Sequence, residues 1–509
     1  MTRQLIILAA SLAFVPSLAA QTWTVDDPVL QRIWEVGMEE SRTPEIAQVL
    51  MDSLGPRLTG TPGLEAANDW SVDLIRSWGV DAEKQQYGTW IGWERGITHV
   101  DLIEPRVRTL EATLLAWSAG TSGPVEGPVV IVPDYQTSEE LDAWIPTTRG
   151  KFVAIAFPQP TCRPDEHYEE YGTERALIRL NASRDSALGA FGLRVPSPPL
   201  LRIRLEEAGA LGVLESNWSN AIGVNKIFST NTGMIPTIDL SCEDYGLVWR
   251  LAENDQGPVL RVDAQGRFLG EVPVYNTIAT IRGSELPDEY VMLSAHFDSW
   301  DGASGATDNG TGSTVMLEAL RILSEAYASP RRTVILGLWG GEEQGLNGSR
   351  RFVADNPEIV ENLQALFNQD VGTGRVNTIS GQGLIGTGPA LADYLSKIPP
   401  EITRHIELDL PGLPSAGGTD HAAFVCAGAP GINLSSVSWN YGTDTWHTNR
   451  DTYDKVVFEE IRNNAVLTAM LVYLASEDPD RLSRERRVMS QGPDGQLEWP
   501  TCSPGRASP

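Results

Sequence analysis

The chain has 509 residues, 41% of them hydrophobic and 21% charged, a globular composition that excludes wholesale disorder and is too long for a single core. Its formal net charge of −28 excludes nucleic acid and anionic membrane surfaces as natural partners, since both would repel it. Two domains is the expected organisation.

Met1-Thr2-Arg3-Gln4, the apolar run Leu5 to Val15 and the small-residue stretch Pro16-Ser17-Leu18-Ala19-Ala20 read as a signal peptide over 1–20. No other stretch approaches the roughly 20 apolar residues of a membrane span. The expected location is secreted or periplasmic. Helical apolar spacing over Pro44 to Trp78 is broken by the turn-forming run Leu54-Gly55-Pro56-Arg57-Leu58-Thr59-Gly60-Thr61-Pro62-Gly63, and the second helix, Leu64 to Trp78, stops at Gly79. From 117 to 268 short β-rich runs (Val129–Val132, Phe152–Ala156, Leu211–Leu214, Ile235–Ile238, Val259–Val262) alternate with turns, with one helix expected over Leu200 to Ala210. This reads as a small β-rich inserted unit with no catalytic constellation of its own.

From Thr277 onward strands and helices alternate. Tyr290–Ala295, Thr333–Trp339 and Leu363–Asn368 are apolar strands; Thr314–Ala326 and Arg350–Val360 have helical spacing. The pattern predicts an α/β fold, a mostly parallel mixed sheet flanked by helices on both faces. Sites in such sheets lie just beyond the C-terminal strand ends. The polar residues fall there. The first strand runs into His296-Phe297-Asp298, with Asp308 following in a Gly-rich turn; the second ends in Glu342-Glu343; the third ends at Asp370. Asp444-Thr445-Trp446-His447 comes later, from a loop. Only six His occur, and two of them stand beside these carboxylates. Imidazole nitrogen and carboxylate oxygen are the donors zinc takes in catalytic sites, and two His with three carboxylates suit two ions about 3.5–4 Å apart. An adjacent Glu then has the chemistry of a general base. The four cysteines, Cys162, Cys242, Cys426 and Cys502, allow three full pairings; pairing within domains, Cys162 with Cys242 and Cys426 with Cys502, is expected.

On Leu54–Gly60, Trp93-Glu94-Arg95-Gly96, His296–Asp301 with Asp308, Glu342–Gly345, Gln369–Thr373 and Gly417–Asp420, the chain resembles the secreted co-catalytic dizinc exopeptidases of the zinc aminopeptidase and glutamate carboxypeptidase type, and within them the carboxypeptidase Q branch. The likeness runs to about Ala475 and implies two Zn²⁺: His296 and Asp370 on one, Glu343 and His447 on the other, Asp308 bridging. It implies Glu342 as the base acting on a metal-bridging hydroxide, and Asp298 hydrogen-bonded to a ligand imidazole. It also implies peptidase segments at 21–116 and 269–476, a protease-associated domain at 117–268 and a peripheral tail at 477–509. Dipeptides or short peptides are the expected substrates, and room is left for a homodimer. Many relatives carry Tyr where Trp446 stands, so the oxyanion donor is Trp446, Tyr441 or the metals. Three alternatives stay open: a zinc aminopeptidase of the same family, a receptor or binding protein on an inactive peptidase fold, and an acyl-transferring cyclase with one metal.

Overall fold

The computed structural model describes residues 26–370, 372–489, 491–492, 495–496 and 498–508; the expected signal peptide lies outside them. Helix α1 (Pro28–Glu39) starts at Asp27, whose side chain accepts from the Val29 and Leu30 amides. Helix α2 (Pro62–Ser77) is capped by Thr61 and ends at Gly79, whose φ of +80° suits the left-handed stop expected there.

A single 14-stranded sheet runs through both halves of the molecule. In chain order its main strands are β1 (Asp81–Glu104), β2 (Val125–Ile131), β3 (Phe152–Ala154), β4 (Gly212–Glu215), β5 (Thr237–Leu240), β6 (Val259–Ile281), β7 (Leu286–His296), β8 (Arg332–Trp339), β9 (Leu363–Asn368), β10 (Val376–Ser380) and β11 (Gly431–Ser436). Their order across the sheet is β10-β11-β9-β7-β8-β6-β2-β3-β4-β5. Neighbours β8–β7, β7–β9 and β9–β11 are parallel, while β10 and β6 run antiparallel at the flanks of this group. Parallel strands covered on both faces must be apolar throughout, and Arg332–Trp339 and Leu363–Asn368 are buried at every position.

Two helices, α3 (Thr311–Ala326) and α4 (Phe458–Glu477), pack with α1 over the β7–β8–β9 face. Leu317, Leu320, Leu323, Val466, Met470 and Leu474 join Val291, Leu293, Val334, Leu336 and Phe367 in one core. The opposite face buries Met292, Ile335 and Trp339 against Phe352 and Phe424.

Strands β1 and β6 form a long antiparallel ribbon, pairing from Asp81 with Thr280 to Glu104 with Val259, that carries the sheet into the inserted region. Position 268 lies inside β6. There β2, β3, β4 and β5 are parallel neighbours, and helices occupy Ser138–Trp144, Asp165–Tyr171, Glu174–Arg194, Pro198–Ala208 and Cys242–Glu253. The inserted region is therefore α/β, with strands too short for their β character to dominate. Disulfides join Cys162 to Cys242 and Cys426 to Cys502, the pairing expected from the sequence.

Candidate metal centre

Each of the parallel strands β7, β8 and β9 delivers acidic or imidazole side chains at its C-terminal end. His296 is the last residue of β7 and only 1% exposed. Its Nδ1–H donates to the Asp298 carbonyl at 3.0 Å, which leaves Nε2 facing Asp370 Oδ1 at 3.2 Å and Asp308 Oδ1 at 3.3 Å. On the far side of the same carboxylate, His447 Nε2 lies 3.4 Å from Asp308 Oδ2 and 2.9 Å from Glu343 Oε2. Asp308 thus sits between two similar donor sets, each with one imidazole and one further carboxylate. The ligand atoms of His296, Asp308 and Glu343 all fall within 4.8 Å of one another.

The local backbone explains how these groups converge. Asp308 lies in a tight turn, Ala306–Gly310, entered through Gly305 at φ +58°, where a Cβ would stand 2.2 Å from that of Ser299. Asp451 holds the turn from behind: its carboxylate accepts from the Thr307 and Asp308 amides at 2.7 and 3.0 Å and from the Thr307 hydroxyl at 2.8 Å. Arg57, fully buried, donates to the carbonyls of Gly55, Phe297, Ser304 and Gly305 at 2.7–2.9 Å, tying the β7 end to the Asp308 turn. Both supports went unread in the sequence. Asp451 stands four residues after His447, and Arg57 stands in the Gly/Pro-rich run whose turn-forming residues read as a loop.

Asp298 departs from expectation. Its carboxylate is 3.8 Å from the His296 ring, beyond hydrogen-bonding distance, and the imidazole is held by the Asp298 main-chain carbonyl instead. The carboxylate accepts from the Glu342 and Glu343 amides at 3.1 and 3.3 Å, so it fixes the β8 end. The strand-end turn points the side chain at the neighbouring strand rather than back at its own.

His447 sits at φ +59° and is reached from the inserted region. Ile227 N–H donates to the His447 carbonyl at 2.7 Å, Asn449 N–H to the Asn225 carbonyl at 3.0 Å, and Asn225 N–H to Asn449 Oδ1 at 3.0 Å. Phe228 packs edge-on to the imidazole, ring centroids 5.2 Å apart. Trp446 lies over the same imidazole at 4.1 Å, with the Lys226 ammonium 4.0 Å from its ring centre.

Residues 276–472 match the sequence profile described as Peptidase family M28. That stretch, which holds the five candidate ligands from His296 to His447, is similar to the M28 peptidases. Carboxypeptidase Q of Bos taurus is 25% identical over 450 residues, and that of Mus musculus 26% over 452, each alignment covering 88% of both chains. Among solved structures, an M28 peptidase precursor from Shewanella amazonensis superposes with a TM-score of 0.64 at 22% identity, over 89% of this chain and 97% of that one. A zinc aminopeptidase from Bacillus subtilis superposes with a TM-score of 0.53 at 20% identity, over 87% and 96%. These likenesses establish the α/β fold.

The electrostatics of the centre favour a cation. Burial first, and neighbouring carboxylates second, push the Glu342 and Glu343 carboxyls well above the usual range. Burial pushes Asp420, at the head of the helix His421–Cys426, up to about 7. Burial works against a charged His296, but Asp370, Glu342 and Asp308 outweigh it and raise its pKa well above the ordinary value. Among the described residues, no hydrogen-bond donor reaches the buried Asp308 Oδ2 or Glu343 Oε1. So many carboxylates in so little space are stable only if something positive lies among them. The donor set and the orphaned oxygens fit a divalent ion held among His296, Asp308 and Glu343, with Asp370 and His447 beside them.

A cleft of about 430 Å³ opens on this centre, lined by Asp308, Glu342, Glu343, Asp370, Tyr441, Trp446 and His447, with Gly417 and Gly418 in another wall. The Gly417–Phe424 segment therefore reaches the cleft, and its Asp420 and His421 side chains are buried. Arg450 is engaged elsewhere, with Glu111 at 3.3 Å and the Gly223 carbonyl at 3.0 Å.

Proposed function

We propose that this chain is an exported zinc-dependent exopeptidase that hydrolyses dipeptides or short peptides at a two-metal centre, in the manner of the carboxypeptidase Q relatives. The observation that carries the reading is Asp308, with one imidazole Nε2 near each of its two oxygens and a further carboxylate beside each imidazole. A single-metal cyclase has no use for both halves of such a set, and an inactive receptor has no reason to retain them.

The ions, when bound, supply Lewis acidity to the scissile carbonyl and lower the pKa of water. The chain's residues do the rest. Glu342, half-buried at the cleft wall and held at its amide by Asp298, accepts a proton from the attacking water and returns it to the leaving amine. Tyr441 is the oxyanion donor we favour: burial and the nearby Asp308, Asp370 and Glu343 keep its phenol protonated well beyond neutral pH, and it lines the cleft. Trp446 is taken up by its stack on His447 and by Lys226. Residues 117–268 act as a protease-associated unit that buttresses the His447 loop. Both disulfides accord with an oxidising compartment, and among the described residues no helix is long and apolar enough to cross a membrane.

The test is a panel of dipeptides with free, N-blocked or C-blocked ends, assayed with zinc and after chelation. Loss on blocking the amine alone identifies an aminopeptidase, loss on blocking the carboxylate alone a carboxypeptidase, and loss with either a dipeptidase. No zinc-dependent hydrolysis of any member would overturn the reading.

A further inference from the structure

Four of the cleft's twelve lining residues are acids, and one lining residue carries the opposite charge. Arg350 is the sole Lys or Arg among the cleft's lining residues. It stands on the first turn of the helix Asn347–Asp355 and is half-buried. Its Nη1–H donates to the Gly345 carbonyl at 3.2 Å, which fastens the guanidinium to the same turn that carries Glu342 and Glu343. Among the described residues no Asp or Glu oxygen lies within 4.0 Å of it.

The very next residue, Arg351, by contrast pairs with Asp355 at 2.8 Å. Arg350 instead lines the cleft with one N–H on the Gly345 carbonyl and no carboxylate partner among the described residues. A guanidinium fork matches a carboxylate bidentately, and no other cation among the lining residues competes for one.

We infer that Arg350 is a specificity residue that binds a carboxylate of the peptide, an inference that rests on the peptidase reading above. Its tether to Gly345 places that carboxylate beside the turn that carries Glu342 and Glu343. Glu342 protonates the leaving amine, so the carboxylate belongs to the leaving residue. Two sources share this chemistry, the C-terminal α-carboxylate and an acidic side chain on the leaving residue.

The experiment compares the zinc-loaded enzyme with Arg350→Gln and Arg350→Lys on three dipeptides: neutral with a free C-terminus, neutral with a C-terminal amide, and the amide with a C-terminal Glu side chain. A charge-assisted bidentate contact is worth roughly tenfold to a hundredfold in binding. The preference of kcat/KM for the free acid over the neutral amide should collapse by that factor in Arg350→Gln, through KM, with Arg350→Lys in between. Collapse of the preference for the Glu-amide over the neutral amide instead identifies an acidic side chain as the ligand. An unchanged preference in both comparisons overturns the proposal. Calorimetric binding of a free amino acid against its amide decides the point independently of turnover: preference for the acid that is lost in Arg350→Gln supports the proposal even if no substrate is cleaved, and its absence in the parent chain refutes it. Failure of hydrolysis alone counts against the peptidase reading.

Discussion

Replacing Arg57 by Met tests whether the Gly/Pro-rich run near the N-terminus is part of the active centre. Met keeps most of the aliphatic length and removes every donor. Of the four carbonyls Arg57 serves, only that of Gly305 keeps another partner among the described residues, the Gly310 amide at 2.9 Å. The carbonyls of Gly55, Phe297 and Ser304 would be left buried without donors, each costing about 1–3 kcal/mol. Removing the guanidinium also removes the cost of burying it, a cost visible in its pKa, which burial lowers to about 10. A net loss of about 3–5 kcal/mol follows. At about 2 °C per kcal/mol, the lower figure suited to a long chain, the first thermal transition should fall by roughly 6–10 °C. Because the freed carbonyls belong to the segments bearing His296 and Asp308, zinc retention on dialysis should fall as well, and excess zinc should restore part of the stability. Calorimetry and metal analysis of the same samples make the measurement. A Met variant with the parent's transition and zinc content would refute the reasoning.

The remaining predictions are more direct. The purified chain should carry two zinc ions, measured by mass spectrometry, and chelation should abolish dipeptide hydrolysis; a value near one per chain would contradict the bridging role given to Asp308. Glu342→Gln should lower kcat by about 10²–10⁴ with zinc content unchanged, measured by steady-state kinetics, and retained activity would remove Glu342 as the base. Replacing Cys426 and Cys502 together by Ser opens a loop with a sequence separation of 76 and should destabilise by about 2–4 kcal/mol, read from denaturant midpoints. Asn225→Ala leaves the buried Asp239 oxygens short of the Asn225 amide donors at 3.1 Å and should cost about 1–3 kcal/mol, visible in thermal unfolding as well as in weaker zinc retention.

Much of the catalytic half was legible because its physics is local. A strand buried on both faces must be a continuous apolar run, so Leu363–Asn368 and Thr333–Trp339 announced themselves, and the polar residue closing each run marked the sheet edge where sites form. Helix α4 went unread because it is buried nearly all round from Ile461 to Ser476, and a helix without a polar face has no 3.6-residue period to detect. The ribbon of β1 and β6 is half-exposed and broken by irregular pairing near Gly88 and Gly92, so it shows no clean alternation. The helix Glu174–Arg194 has no buried residue and therefore no apolar stripe. The ligand set was readable from residue type and place. Its supports were not: the direction of the Asp298 carboxylate, the Asp451 brace and the pairing of Asn225 with Asn449 depend on contacts between distant parts of the chain, which leave no mark in local pattern.

The link from Ile227 to His447 makes the centre a joint product of two units, neither of which can finish it alone. Peptidase strands present four of the proposed ligands, yet the fifth hangs on a loop whose backbone is clasped by the insertion. A swing of the insertion away from the sheet would drag on that imidazole and loosen one metal before the other. On the two-metal reading proposed above, a catalytic half expressed without residues 117–268 should therefore retain less zinc than the whole chain.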